Sequence, residues 1–370
     1  MKSRHQIHSL PSLASSLLCL TLLSVSTAHA ETTSYHLTQL ATLGSYVDSV
    51  HGLNNLGQSV GYSNGFPVIW NSSGAVSALP RLSGAAFSSA LAINDAGTIV
   101  GYSGESAVAW VGGQAISLAV LPGTTYPYSA LATSINQAGQ IVGVVGGRAV
   151  MWNSPTATPI QLGYGAAQDV NSSGTAIGSQ TIWQNGQVSY MTGLTSYYGG
   201  NNNTAYSIND AGVIVGTWYG AAVKWIDPKQ PIQLNPLAGP PGGLRNSEAW
   251  SINNLGQVVG HSGWYNPSTG STSKYAVIWD GLDAVDLNTL ILPEYGNFGT
   301  LGRAVAINDQ GQIIVNGIGT TGNYATYLLT PVAVPEPSTT AMTLLGVAML
   351  GFVARRRALM RAIESPAQAA

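Results

Sequence analysis

One phrase of about ten residues recurs seven times along this 370-residue chain, and that repeat restricts the fold more than any other feature. It reads small or apolar, Ile, Asn, Asp or Asn, x, Gly, x, Ile or Val, Val, Gly. Two full copies are Ala92-Ile93-Asn94-Asp95-Ala96-Gly97 through Gly101 and Ser207-Ile208-Asn209-Asp210-Ala211-Gly212 through Gly216. The asparagines are Asn54, Asn94, Asn136, Asn171, Asn209, Asn253 and Asn308. Their spacing is roughly 40 residues, wider before the last copy. The copy around Asn171 is degenerate. An apolar run that stops at Asn-Asp-x-Gly and then restarts is a hairpin: Asn and Asp side chains cap their own backbone, and Gly takes the positive φ of the loop. Oxygen-rich text of this kind also suits calcium. Each copy offers at most one carboxylate, however, and Asn54-Asn55, Asn136-Gln137 and Asn253-Asn254 offer none, so the turn reading is preferred.

Two further landmarks follow each asparagine. Trp70, Trp110, Trp152 and Trp225 all stand at one constant distance downstream, after a β-branched or small lead-in such as Pro67-Val68-Ile69 or Ala107-Val108-Ala109. Trp183 and Trp279 hold the same place in the fourth and sixth units, the first a little sooner and the second later. A tryptophan in nearly every repeat is expected to pack inside, with sugar stacking as the other reading. A leucine-rich run comes next, as in Ile116–Leu121 and Ile232–Leu237. Four short apolar runs in about 40 residues are the size of one propeller blade. Seven such units are present, the seventh with Tyr324–Leu329 in the tryptophan's place, but only six leucine runs follow one. The seventh lies ahead of the first unit, at residues 35–43. A ring needs that displaced strand to complete its last blade; an open stack does not. The expected fold is therefore all-β, a seven-bladed β-propeller of four-stranded repeats over residues 35–330, with a β-solenoid or sandwich-like stack as the alternative.

Composition narrows the function. Charged residues are only 8%, against roughly 25% in an average soluble protein. With 13 Lys+Arg against 15 Asp+Glu there is no basic footprint for nucleic acid. His36, His51 and His261 have no second His or Cys at ligand spacing, so no metal site is expected. No nucleophile elbow or phosphate loop is present, and no pair of acids is singled out. Neither a cofactor nor catalysis is expected.

Both ends read as addresses. Lys2 and Arg4 precede an apolar stretch, Leu13–Val25, and then Ala28-His29-Ala30, a small-x-small site. Residues 1–30 are expected to be a signal peptide cleaved after Ala30, which removes the sole cysteine, Cys19. At the other end Val334-Pro335-Glu336-Pro337 leads into the uncharged residues 339–354 and then Arg355-Arg356-Arg357. The apolar stretch is short for a span, though arginines that snorkel extend it. It is expected to be a single transmembrane helix, with the propeller outside and residues 358–370 as a cytoplasmic tail.

These C-terminal residues resemble the PEP-CTERM protein-sorting signal, over about residues 334–357. The resemblance implies Gram-negative bacteria that make exopolysaccharide, and a membrane-embedded exosortase that recognises the motif and cleaves near it. The tail after Arg357 departs from the pattern, in which most members stop soon after the arginines. The repeats, over roughly residues 37–330, resemble the extracellular HAF repeats. They depart from them at the His-Ala-Phe signature: the His place holds Phe66, Ser106, Arg148, Ser179, Ala221 and Tyr275, and the Phe place holds Val68, Val108, Val150, Thr181, Val223 and Val277. No role of that histidine carries over, and the family has no established activity to transfer.

The expected protein is thus secreted or surface-held, with an exosortase-type enzyme as partner and the inner membrane as its station before processing. Its expected role is a scaffold or adhesion module in the exopolysaccharide or biofilm matrix. A lectin-like propeller and a polysaccharide-degrading enzyme are the alternatives. Two insertions, residues 195–204 and 262–274, mix aromatic with amide and hydroxyl side chains. Tyr197, Tyr198, Trp264 and Tyr265 are the candidate glycan contacts there, unless these are plain surface loops.

Overall fold

The computed structural model describes residues 33–44, 49–124, 129–192, 203–240, 244–332 and 355–356. The expected signal peptide, Tyr197, Tyr198, Val334–Pro337, the apolar stretch 339–354, Arg357 and the tail lie outside them. Arg355 and Arg356 are helical and exposed.

Among the described residues, twenty-eight strands form seven antiparallel sheets of four, the blades of a propeller. Six blades are consecutive in sequence. Blade 1, for example, runs Ser49–Leu53, Ser59–Ser63, Phe66–Trp70, Val76–Ala78. The repeated phrase builds the first two strands of each blade and the hairpin between them. Blade 7 contains Thr300–Ile307, Ile313–Ile318 and Tyr324–Pro331, and its fourth strand is Tyr35–Gln39 from the start of the chain. This closing strand pairs antiparallel with Tyr324–Pro331, from Tyr35 opposite Pro331 to Gln39 opposite Tyr327. A ring closed in this way excludes the open solenoid.

The core lies between neighbouring blades. One cluster joins Val60 and Leu79 of blade 1 to Ala90, Ile93, Ile99, Val108 and Trp110 of blade 2. The repeated tryptophans are the largest members, and Trp70, Trp110, Trp152, Trp225 and Trp279 are fully buried. Each also donates its Nε1–H backwards, to a carbonyl just past the outer strand of the preceding blade. The acceptors are Ala41, Pro80, Ala119, Thr192 and Asn235, at 2.6–3.1 Å. One residue type thus supplies both apolar area and a satisfied inter-blade hydrogen bond. In blade 4 the Trp183 ring packs over Gly163 of blade 3, where a Cβ would come within 2.9 Å of it.

Two details differ from the sequence reading. The leucines of the fourth run mostly follow the outer strand rather than lie in it. Leu79, Leu118 and Leu234 are buried, and their N–H groups bond to the carbonyls of Pro67, Ala107 and Ala222 in the third strand. The outer strands themselves, such as Gln114–Ser117, are largely exposed. The insertion at residues 262–274 is not a loop. It lengthens the middle hairpin of blade 6, whose strands Val258–Asn266 and Ser271–Trp279 are nine residues each.

Candidate functional site

The seven asparagines meet at one end of the channel, and all are buried. Each Oδ1 accepts from the backbone of its own turn, as where Asn54 receives Leu56 and Gln58 N–H at 3.1 and 2.9 Å. Each Nδ2–H donates to the carbonyl of the next asparagine. Asn54 bonds Asn94, and the series continues through Asn136, Asn171, Asn209, Asn253 and Asn308. Asn308 then donates to Asn54 at 2.8 Å and closes the circle. The following residue makes a second, outer circle of six links, open between Gln137 and Ser172. Asp95 Oδ1 accepts from Asn55 N–H, Gln137 Oε1 from Asp95, Asp210 Oδ1 from Ser172, Asn254 Oδ1 from Asp210, Asp309 Oδ1 from Asn254 and Asn55 Oδ1 from Asp309. The carboxylates considered for calcium are thus occupied by neighbouring amides. Among the described residues no group of three His, Cys, Asp or Glu side chains gathers to hold a metal.

The inner strands carry a β-bulge at a recurrent place, three positions before the asparagine. The register skips His51, Leu91, Thr133, Tyr206, Trp250 and Val305. A bulge re-aims the extra side chain, and these six, with Gln168 of blade 4, line a central cavity of about 310 Å³. The bulge also accounts for the glycine that ends the repeated phrase. A Cβ on Gly61, Gly101, Gly143, Gly216 or Gly260 would strike the facing carbonyl of Ser49, Ser89, Leu131, Thr204 or Glu248.

Around this cavity the aromatic and charged groups concentrate on one side. Tyr206 and Trp250 stack at 4.5 Å with 10° between their planes, and the Arg303 guanidinium lies 4.8 Å from the Trp250 ring centre. Burial, and then the Arg303 charge, push His51 below the usual imidazole range. In the blade next to Tyr206, Asp169 is raised by burial, although Ser134, Ser207 and the N–H groups of Val170 and Ile208 all donate to it at 2.7–3.0 Å. Trp250 Nε1 is buried and has no hydrogen-bond partner.

In the second strand of blade 6, His261 is buried, with Nε2 3.2 Å from Asn246 Oδ1 and Nδ1 3.9 Å from Glu248. Burial first, then the Lys274 and Arg303 charges, bring it down to about 4. The folded state therefore holds this histidine neutral while the unfolded chain protonates it near 6.5. Its contribution is unchanged above pH 6.5 and is lost as pH falls towards 4, by about 3 kcal/mol. Asp169, with a raised value, acts in the opposite sense at acid pH, and His51 in the same sense as His261. The comparison with His261→Gln isolates the effect: urea unfolding of this variant should show a flatter loss than the parent as the solution is acidified from neutrality towards pH 4. Parallel profiles would refute the assignment.

Of the glycan contacts expected from the sequence, Trp264 and Tyr265 lie on the long hairpin of blade 6. Adjacent residues of a strand point to opposite faces, so the two do not form one platform. Trp264 is half-buried, packed over Gly239 and 5.3 Å from the Tyr275 ring; Tyr265 is exposed. The cavity residues His51, Tyr206 and Trp250, and Arg303 over the Trp250 ring, were not singled out by the sequence. For the first three, the signal was a variable residue between the recurring apolar positions one and four before the asparagine.

Fold and site define a closed, seven-bladed β-propeller with a polar central cavity, followed in sequence by a C-terminal segment. That segment, residues 333–357, matches the PEP-CTERM protein-sorting motif. No curated protein matches the chain. The motif marks an exosortase-sorted, secreted or surface protein. Among the described residues no helix is long and apolar enough to cross a membrane.

Proposed function

We propose that this chain is a non-enzymatic propeller that acts at the cell surface, in an exopolysaccharide or biofilm matrix, as a scaffold or adhesion module. Before processing it is held in the inner membrane through residues 339–354, with the propeller outside. The observation that carries this reading is the junction of fold and motif. The last strand ends at Pro331 and the sorting motif begins at residue 333. Cleavage near Pro335–Pro337 therefore removes no strand and leaves the ring complete. The low charge and the resemblance of the repeats to extracellular HAF repeats support the same placement.

The test is the intact mass of the protein recovered from cell surface and medium. The expected species begins at Glu31 and ends near Pro335–Pro337. A mass that keeps residues 339–357 would show a membrane-anchored propeller, and the matrix reading would be withdrawn.

A further inference from the structure

The charges of the ring are few, and they are sorted by end. The tryptophan that closes a third strand pairs with the first residue after the asparagine turn, as Trp70 does with Ser59 and Trp225 with Ile214. The turns after the asparagines and those after the tryptophans therefore share one end of the ring. Among the described residues this end carries Asp95, Asp210, Asp227, Asp280, Asp283 and Asp309, against Lys229 and Lys224, whose Nζ reaches Gly281 O. Asp169 is left aside because four donors hold it inside the ring. The middle hairpins lie at the other end. There Arg81 donates to Gly65 O in the hairpin of blade 1, and Arg148 opens the third strand of blade 3. Arg245 and Lys274 stand on the lengthened strands of blade 6, and Arg303 lies on the same half of the inner strand of blade 7. Glu105 and Glu248 are the carboxylates there. Asp286 and Glu294, at and after the outer strand of blade 6, belong to neither group. Six carboxylates against two ammonium groups thus stand at one end, and five cations against two carboxylates at the other.

Both ends also expose large apolar side chains. Leu56, Ile226 and Leu255 do so at the acidic end, and Phe66, Phe87 and Tyr164 at the basic end. Two of the latter are backed by cations. The Arg81 guanidinium stands 4.1 Å from the centre of the Phe66 ring, and that of Arg148 4.9 Å from Tyr164. A contact between proteins uses both elements, apolar area in its middle and complementary charge around it. We propose that copies of this chain stack head to tail, the acidic end of one ring on the basic end of the next. A second copy is the occupant because it alone accounts for both ends. A polyanion would take the basic end and leave the acidic one without a partner. Two like ends brought together would set equal charges against each other, which costs binding. A contact between unlike ends leaves one free acidic and one free basic end on every assembly, so it does not close and growth continues. Each exposed charge pair contributes little, so stacking is weak in dilute solution and sensitive to salt. The inference goes beyond the surface reading: it gives a scaffold its means of assembly, and it stands whether or not the chain is processed.

The test is sedimentation velocity of the full chain in a non-ionic detergent. At about 0.01 M salt the mass per particle should rise with protein concentration beyond a dimer. At about 1 M salt, where charges are screened within about 3 Å, it should return to one copy. Asp227→Asn, Asp280→Asn and Asp283→Asn together blunt the acidic end; Arg148→Gln, Arg245→Gln and Lys274→Gln together blunt the basic end. Five of these six side chains are exposed and Arg148 is half-buried, so both triple variants should keep the parental thermal midpoint. Each alone should associate about tenfold or more weakly than the parent. Their equimolar mixture retains one intact end of each kind, and it should form dimers and stop there. A parent that stays single at low salt, or whose association survives about 1 M salt, overturns the proposal. So does a parent that stays single yet binds polygalacturonate, which would give the basic end to a polyanion. Association left intact in the basic-end variant also overturns it, because Arg355, Arg356 and Arg357 would then be the partners of the acidic end. A mixture no heavier than its two components has the same force. The intact-mass result is independent of all these outcomes, so failure of the surface reading is told apart from failure of the stack.

Discussion

Deleting residues 34–40 is expected to leave a chain that aggregates and shows no cooperative melt. Those residues carry the fourth strand of blade 7. Tyr35 and Leu40 are buried, and full burial of a large side chain contributes about 1.5–3 kcal/mol. Tyr35 belongs to a cluster with Leu287, Leu290, Ile291, Leu301 and Tyr327, which the deletion would open to water. Backbone bonds from Leu40 N–H to Thr326, from Val332 N–H to Ser34 and from Leu292 N–H to Tyr35 would go as well. The sum is comparable with the whole stability of an ordinary domain, about 5–15 kcal/mol. The strand Tyr324–Pro331 would also become an open edge, a template for pairing with other chains. Size-exclusion chromatography and a circular-dichroism melt decide the matter. A monomer that melts within a few degrees of the parent would show that closure does not hold the ring.

Asn308→Ala should cost about 3–5 kcal/mol, much more than an ordinary turn substitution. Its Oδ1 accepts from Gln310 and Gln312 N–H at 3.1 and 2.8 Å, and its Nδ2 donates to Asn54 O at 2.8 Å. Truncation leaves buried donors and a buried acceptor without partners, at about 1–3 kcal/mol each. Asn308→Asp separates the two ends of the amide. It keeps the acceptor but turns an oxygen towards the Asn54 carbonyl, so a loss of similar size is expected at neutral pH. Asp309→Ala, at a half-buried position in the outer circle, should cost about 1 kcal/mol. Urea midpoints measure all three. A loss below about 1 kcal/mol for Asn308→Ala would mean that the inter-blade bond carries little.

The blades were legible in the sequence because their signals are local. Asn-Asp-x-Gly fixes a turn within its own few positions, and the tryptophan that follows marks the third strand from its apolar lead-in. The two ends of the asparagine amide were not equally legible. The turn cap lies within the phrase, but the donor reaches a carbonyl in the next blade, a contact that no pattern of spacing announces. The glycine ending the phrase was visible as a repeat, yet its reason is a bulge on the partner strand. Residues 262–274 read as a loop because Gly, Ser, Thr and Asn dominate them. Pairing with each other, and of residues 262–265 with the inner strand as well, makes most of them strand, against weak propensity. The cavity side chains were hidden because each differs from its counterparts, and a search for repeats discards what does not recur.

The position of the closing strand also has a mechanical meaning. Tyr324–Pro331, the last strand before the sorting motif, lies between Ile313–Ile318 and Tyr35–Gln39, antiparallel to both. A pull on the C-terminal segment therefore enters the ring through a strand zipped on either side. It must shear two ladders at once, and it cannot peel an edge strand one bond at a time. The first strand of the propeller is in this sense a clasp over the tether, and a load applied there is divided between the start and the end of the chain.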